Sequence, residues 1–413
     1  MTALVGVIVS CQSDDDFTES IFDTSTPAVD NTAATAPFDQ WLYDNFVVPY
    51  NTEIQYKFNF PATKLEYQLT PTDYHKAQWL AHFIKYLFYE VYAKYAGDEF
   101  LKKYAPRIFH FIGSSSYSPT TGTEELGYAS GGVKITLIGC NGLKVWTPTN
   151  PYSASDMELL NKDQFHTMHH EFSHILHQTK SYPVTFGQVT PGDYDARTWQ
   201  ERDSVLSHSL GYITQYASSA IFEDFVETLS CTITDTDCRW MYTIIDACAN
   251  GGVKAGDKER IYALIDSLGI QDLDTPGKPW NKFKILKETS KTQDSEEEVT
   301  RFVPSFHQAD AQNQNNELDQ DKQKTLKYED VKSFTSFRDY LDNWVEIDQS
   351  ATSKGMNAIL KKLEIAGKWY TDEWGLHLFD IRREVRERQN NINTYAKDNV
   401  TTIYPINKAT KGI

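Results

Sequence analysis

The chain has 413 residues, with 40 lysines and arginines against 57 aspartates and glutamates, a formal charge of −17. Apolar residues make up 40% and aromatics 13%, a globular composition, and the length suits one large domain or two medium ones. The acid excess argues against general nucleic-acid binding and polybasic membrane docking, which need Lys/Arg clusters. No apolar run reaches the ~18 residues that a transmembrane helix needs.

The opening stretch MTALVGVIVS is apolar and uncharged and ends at Cys11. It reads as a bacterial lipoprotein signal with Cys11 as the lipidated residue, although a positive n-region is missing. A buried strand is the weaker reading, because Asp14, Asp15 and Asp16 follow directly, then a Ser/Thr/Asp/Ala-rich tether. The block from Gln12 to Asp16 resembles the acidic export tag of Bacteroides-type surface lipoproteins. That resemblance implies an outward-facing position on the outer membrane, held by acyl chains on Cys11. The remaining cysteines, Cys140, Cys231, Cys238 and Cys248, are too sparse for a disulfide scaffold and form no Cys-x-x-Cys zinc pair. Spacing leaves a Cys231–Cys238 pair open.

The expected division is a signal and lipidation site at 1–11, a flexible tether at 12–36, a catalytic domain at 37–250 and a helical C-terminal part at 251–413. Within the domain, 52–58 alternates as a half-buried strand. Thr70-Pro71-Thr72-Asp73 starts a helix, with Pro at the first helical position. Leu80, Phe83, Ile84, Leu87, Phe88 and Val91 then recur at spacings of three and four, as on a long core helix. Strands are expected at 107–112 and 132–138, and helices at 159–179 and about 219–231. This order predicts an α+β fold. The stretch 286–330, rich in Lys, Glu, Asp and Gln, reads as an exposed insertion or disordered loop. One last strong helix is predicted from Met356 to Gln389.

The chemistry lies in His170-Glu171-Phe172-Ser173-His174, an H-E-x-x-H inside a segment free of Pro and Gly. On a helix His170 and His174 share a face and can reach one zinc ion at ~2.0–2.1 Å each. Glu171 lies beside that ion but outside its shell, where a general base belongs. His166 and His177 share the face. Residues seven apart rise ~10.5 Å, too far for one tetrahedral shell, so both are read as neighbours. His169 points elsewhere. A third ligand is needed. The metzincin pattern fails, because His177 stands at its Gly position and Lys180 at its last His. The segment Ile221 to Glu227 offers carboxylates instead. Glu223 is assigned to the metal and Glu227 to a ring N–H of a ligating histidine; the reverse, or Asp224 as ligand, stays open. For an oxyanion donor the candidates are Tyr216, then Tyr212 and His208.

These pieces resemble the substrate-import-associated zinc metallohydrolase lipoproteins of Bacteroides-type bacteria. The resemblance rests on Cys11, on Trp41 to Phe46 with Pro49-Tyr50-Asn51, on His170 to His174, on Gly211 to Ala217 leading into Glu223 to Glu227, and on Lys354 to Asn357. The Tyr216-to-Glu223 spacing also resembles that of the anthrax lethal factor group of gluzincins, and this supports Tyr216. The resemblance implies a zincin-like fold, Zn2+ as cofactor and a peptide or protein substrate. Neighbouring genes for a TonB-dependent transporter and its binding lipoprotein are a further implication. Alternatives are a non-catalytic substrate-binding lipoprotein serving that transporter, and hydrolysis of a non-peptide bond. The strand near 132–137 is expected to offer its edge to an extended peptide.

Overall fold

The computed structural model describes residues 29–58, 69–117, 124–130, 133–248, 253–270, 283–292, 298–305, 318–319, 324–334, 337–343, 347–348 and 353–401. The expected signal, Cys11 and most of the tether lie outside the described residues. No helix among those residues is long and apolar enough to cross a membrane.

The fold is α+β. Helix α1 (36–50) passes from Ala36–Leu42 through a π turn at Tyr43–Val47 to Val48–Tyr50. It buries Phe38, Leu42, Phe46 and Tyr50. Strand β1, Glu53–Gln55, is shorter than the alternating stretch suggests. Helix α2 (74–96) joins Tyr74–Ile84, a π turn at Lys85–Tyr89 and Glu90–Ala96. Its cap is Asp73, whose carboxylate accepts from the amides of His75 and Lys76 at 3.0 and 3.1 Å. Pro71 is therefore not the first helical residue; it bridges to Ile112 instead. The carboxylate satisfies two orphan amide donors, which an N-terminal proline would not do.

Strands β2 (Ile108–Phe111), β3 (Gly127–Ser130) and β4 (Lys134–Leu137) complete a four-stranded sheet in the order β1-β2-β4-β3. Strands β1, β2 and β4 run parallel, and β3 is antiparallel to β4. Because β4 pairs on both sides, it has no free edge, contrary to expectation. The edge on that side is β3. Alternation marks a strand but says nothing about its neighbours.

Helix α4 (154–179) comes after the short α3, Asp98–Tyr104. It opens at a Ser153–Asp156 capping box, passes a π turn at Asn161–Phe165, and ends in the straight segment His166–Thr179. It packs on α2 through aromatic edges, Phe88 to Phe172 at 5.0 Å and Tyr92 to Phe172 at 5.1 Å between ring centroids. Such pairs contribute ~0.5–1.5 kcal/mol each beyond burial. His169 is buried in this interface, with its Nδ1 3.2 Å from the Tyr92 hydroxyl.

Then come α5 (Ser204–Leu210), α6 (Ile221–Thr234), α7 (Asp237–Ala247) and α8 (Ala255–Leu268). Strands β5 (Phe283–Thr292), β6 (Glu298–Ser305) and β7 (Lys324–Phe334), with the short strand Leu318–Asp319, form a four-stranded antiparallel sheet whose inner strands are β5 and β7. For its described residues, the disordered-loop reading of 286–330 is thus corrected: they form strands. The charged composition hid these strands: in Phe283-Lys284-Ile285-Leu286-Lys287-Glu288 both alternating sets mix apolar and charged residues, so no period of two marks a strand. The last predicted helix is two, α9 (Lys354–Trp374) and α10 (Leu378–Asn390). Gly375, at φ +68°, ends α9 in the left-handed conformation that a helix C-terminus favours.

Two apolar cores result. One joins the sheet to α1, α2, α4 and α10; the other gathers α7, α8 and α9. Helix α6 serves both, giving Phe225, Val226, Leu229 and Ile233 to the first and Cys231 to the second. Buried Arg382 on α10 fastens the C-terminal end of α6. It donates to the carbonyls of Thr232 and Asp235 at 3.0 and 2.6 Å, neutralising the negative end of the helix.

Candidate metal centre

Helices α4 and α6 lie side by side in opposite directions. His166, His170 and His174 form a ladder at spacing four on one, and Glu223, Glu227 and Cys231 form a ladder at the same spacing on the other. The ladders face each other. The ring nitrogen Nε2 of His170 lies 3.1 Å from Glu223 Oε2, and Nε2 of His174 lies 3.3 Å from the same oxygen. The two Nε2 atoms are 3.2 Å apart. Donors ~2.0–2.1 Å from one tetrahedral zinc stand about 3.3 Å from each other, so this triangle has the size of one face of such a shell.

The surroundings set which nitrogen faces inward. His170 Nδ1 donates to Glu227 Oε1 at 2.6 Å, which leaves the lone pair of Nε2 for the centre. His166 Nε2 reaches the same oxygen at 2.8 Å, and Thr214 Oγ1 donates to Glu227 Oε2 at 2.5 Å. His174 Nδ1 meets His177 Nε2 at 2.9 Å. Burial and the neighbouring His174 push His177 down to about 4, so it stays neutral, and in the tautomer with its proton on Nδ1 its Nε2 accepts from His174 Nδ1. In that tautomer His174 also turns an Nε2 lone pair inward.

Charge balance points the same way. Burial works against a charge on His170, but the carboxylates of Glu223 and Glu227 outweigh it and push its pKa up to about 10. Burial likewise opposes ionisation of Glu223, yet hydrogen bonds from His170 and His174 hold it down at about 2. Glu227 is held well below the usual carboxylate range against the same burial, by His166 and His170. Two ionised, largely buried carboxylates around two imidazoles demand a positive charge between them. Two imidazole nitrogens and one carboxylate oxygen are also a zinc donor set. The residues fit the ion.

Two groups stand beside the triangle. Glu171 is half-buried next to His170, and its charge bears on both His170 and Tyr216. The ring of Tyr216 lies 5.9 Å from that of His170, and its hydroxyl bonds to the Glu223 carboxylate. Burial first, and then the charge of Glu223, push the Tyr216 hydroxyl well above its usual pKa. Tyr216 therefore keeps its proton and acts as a donor.

Residues 31–277 match the model of a family described as "Putative zinc-binding metallo-peptidase". The chain belongs to this family. No curated protein matches it. Among solved structures it is similar to a putative zinc-binding metallo-peptidase from Bacteroides caccae ATCC 43185. The two are 22% identical, over 87% of this chain and 94% of that one, with a TM-score of 0.52; at that identity the likeness is one of fold.

In this member of the metallo-peptidase family, the whole ladder from His166 to Glu227 falls inside the matched span, and α9 and α10 fall beyond it. The structure separates the alternatives left open by the sequence. Asp224 points away from the triangle and pairs with Lys362 Nζ at 2.6 Å. Tyr212 is buried, its hydroxyl 3.4 Å from the Thr190 carbonyl. His208 is engaged by Asp246 at 3.0 Å and the Ile213 carbonyl at 3.1 Å. Cys231 is a free thiol whose Sγ lies 3.8 Å from His166 Nδ1, which removes the Cys231–Cys238 pair; the side chain of Cys238 lies outside the described residues. Sequence reasoning missed Thr214, Lys362 and Arg382. Thr214 sits two residues before Tyr216 and carries no motif. The other two act from far along the chain, through contacts that no local spacing announces.

Proposed function

We propose that the protein is a zinc-dependent peptidase anchored to the outer face of the outer membrane through Cys11, with His170, His174 and Glu223 holding the ion. The observation that carries this reading is the Nε2–Nε2–Oε2 triangle with edges of 3.1–3.3 Å, its imidazoles oriented from behind by Glu227 and His177. Zinc bound there supplies a Lewis acid for the scissile carbonyl and lowers the pKa of a water. Glu171 takes the proton from the attacking water on its carboxylate and delivers it to the leaving amine nitrogen. Tyr216, exchanging its hydrogen bond to Glu223 for one to the substrate, would donate its hydroxyl to the oxygen on which negative charge develops. Glu227 keeps the proton on His170 Nδ1 throughout. The edge of β3, beside α4 where Gly127 meets Thr167, offers an extended peptide backbone a place to pair. Peptide scission at the cell surface would feed a TonB-dependent transporter and its binding lipoprotein. The acidic stretch after Cys11 and the family resemblance support that placement.

The test is zinc content of a form beginning after Cys11, beside His170→Ala and Glu223→Ala. About one zinc per chain, lost in both variants, supports the centre; a wild type that takes up no zinc when the metal is supplied rejects it. Location is read separately. Cys11→Ser should move the protein from the outer-membrane fraction to the soluble one, and unchanged fractionation would reject the anchor.

A further inference from the structure

Among the described residues ten large apolar side chains are exposed, and three of them, Tyr216, Ile221 and Phe222, fall within seven residues of the chain. Single exposed apolar side chains need no explanation, but a cluster beside a functional centre does. Two of them, Tyr216 and Phe222, border the candidate metal triangle. The Phe222 ring is 44% exposed and lies 6.0 Å from the His174 ring. Ile221, next to it on the first turn of α6, rests on Gly187, where an added Cβ would come within 3.0 Å of its side chain. On the His170 side Tyr216 is braced edge-on by Trp199 at 5.0 Å. The ion position thus has aromatic walls toward both histidines, each held by a neighbour of its own. Besides the proposed ion, Glu171 and Glu223 bring negative charge close to Tyr216.

We propose that Phe222, beside His174, and Tyr216, beside His170 and braced by Trp199, form a subsite for a large apolar, preferably aromatic, side chain adjoining the bond that is cut. This rests on the zinc-peptidase reading and names the substrate class of that same site. The occupant is fixed by continuity, because whatever is bound at the ion must lay its neighbouring atoms against these rings. Aromatic side chains bury much area and stack on such walls. An acidic side chain would add a like charge beside Glu171 and Glu223.

Amino-acid hydroxamates test this without a known substrate, since the hydroxamate group chelates zinc and leaves the side chain to explore the walls. Dissociation constants of the glycine, phenylalanine and glutamate hydroxamates are measured by calorimetry on the zinc-loaded protein. The phenylalanine compound is expected to bind at least ~10-fold tighter than the glycine one, a size typical of apolar pocket contacts. The glutamate compound should gain nothing over glycine. In Phe222→Ala and in Trp199→Ala the phenylalanine-to-glycine ratio should fall toward one. Equal binding of the glycine and phenylalanine compounds to the wild type overturns the subsite while leaving the zinc reading intact. So does a ratio that survives both substitutions. Failure of every hydroxamate to bind zinc-loaded protein overturns the zinc reading and the subsite together.

Discussion

Helix α6 carries buried carboxylates on two faces, and the protein holds them in opposite ways. Toward α4, Glu223 and Glu227 meet imidazoles, and the hydrogen bonds outweigh burial, so both acids are held ionised. Toward α9, Asp224 meets Lys362 at 2.6 Å, with the Tyr194 hydroxyl donating at 2.7 Å. There burial outweighs its partners and raises Asp224 to about 6. The first face keeps its charges in place for an exchangeable cation, a proton or a metal ion. The second binds a cation that is part of the chain and cannot leave. Lys362 Nζ also donates to the Gly211 carbonyl at 2.8 Å, at the start of the segment that delivers Thr214 and Tyr216. The fixed face thereby positions the exchangeable one.

The comparison breaks most sharply at Glu171, which belongs to the exchangeable face without holding the ion. Glu171→Gln should keep its zinc and lose ~10²–10⁴-fold in hydrolysis, the usual range for a lost general base. Metal analysis and a peptide-cleavage assay read the two separately, and undiminished cleavage would reject the role. On the fixed face Lys362→Met leaves Asp224 buried without its cation, which costs ~3–5 kcal/mol. Most of that loss should return in Lys362→Met with Asp224→Leu, because removing both members of a buried pair is far milder than removing one. Denaturant unfolding of the two variants decides it; equal stability losses would mean that the pair is not what anchors α6. On the exchangeable face, Glu227→Gln should weaken zinc binding ~10–100-fold by loosening the His170 tautomer. Chelator competition measures this, and an unchanged zinc affinity would show that Glu227 does not orient the ligand.

The α4 half of the site was legible in the sequence and the α6 half only in part. A helix at H-E-x-x-H, with His170 and His174 on one face, is dictated by periodicity and by the absence of breakers between Phe165 and His177. Spacing four also paired Glu223 with Glu227, but it left open which would meet the Nε2 atoms of His170 and His174, because that depends on how α6 rotates against α4. The rotation is set by Phe225, buried under Trp369 of α9 at 5.0 Å, and by Lys362 and Arg382, all distant partners. The same limit applies to the sheet. Alternation found the strand at 134–137 but not that β3 would cover its edge. At 283–334 charge-rich composition concealed strands whose pairing is settled by partners along the ladder rather than by burial signals in each strand.

The smallest expected effect separates both faces of α6 from the rest of the core. His82 and His110 are buried outside the histidine–carboxylate ladder, His82 stacked on Trp41 at 3.9 Å between centroids. Burial, helped by Lys85 and Lys134, lowers them to about 3 and about 4. Unfolding returns each to the ordinary value near 6.5. Between pH 6.5 and their folded values the unfolded chain therefore binds protons that the folded chain refuses. Stability is full above pH 6.5 and falls as the pH drops, by about 1.4 kcal/mol per pH unit for each such histidine. His82→Phe keeps a ring against Trp41 and removes the proton acceptor, so its melting temperature should drop less than that of the wild type between pH 6.5 and 5.5. The comparison of two proteins over the same pH step cancels the titration of the metal centre, which both share. Parallel losses in the two would mean that His82 does not contribute to the acid sensitivity, which would then lie in groups that both proteins share.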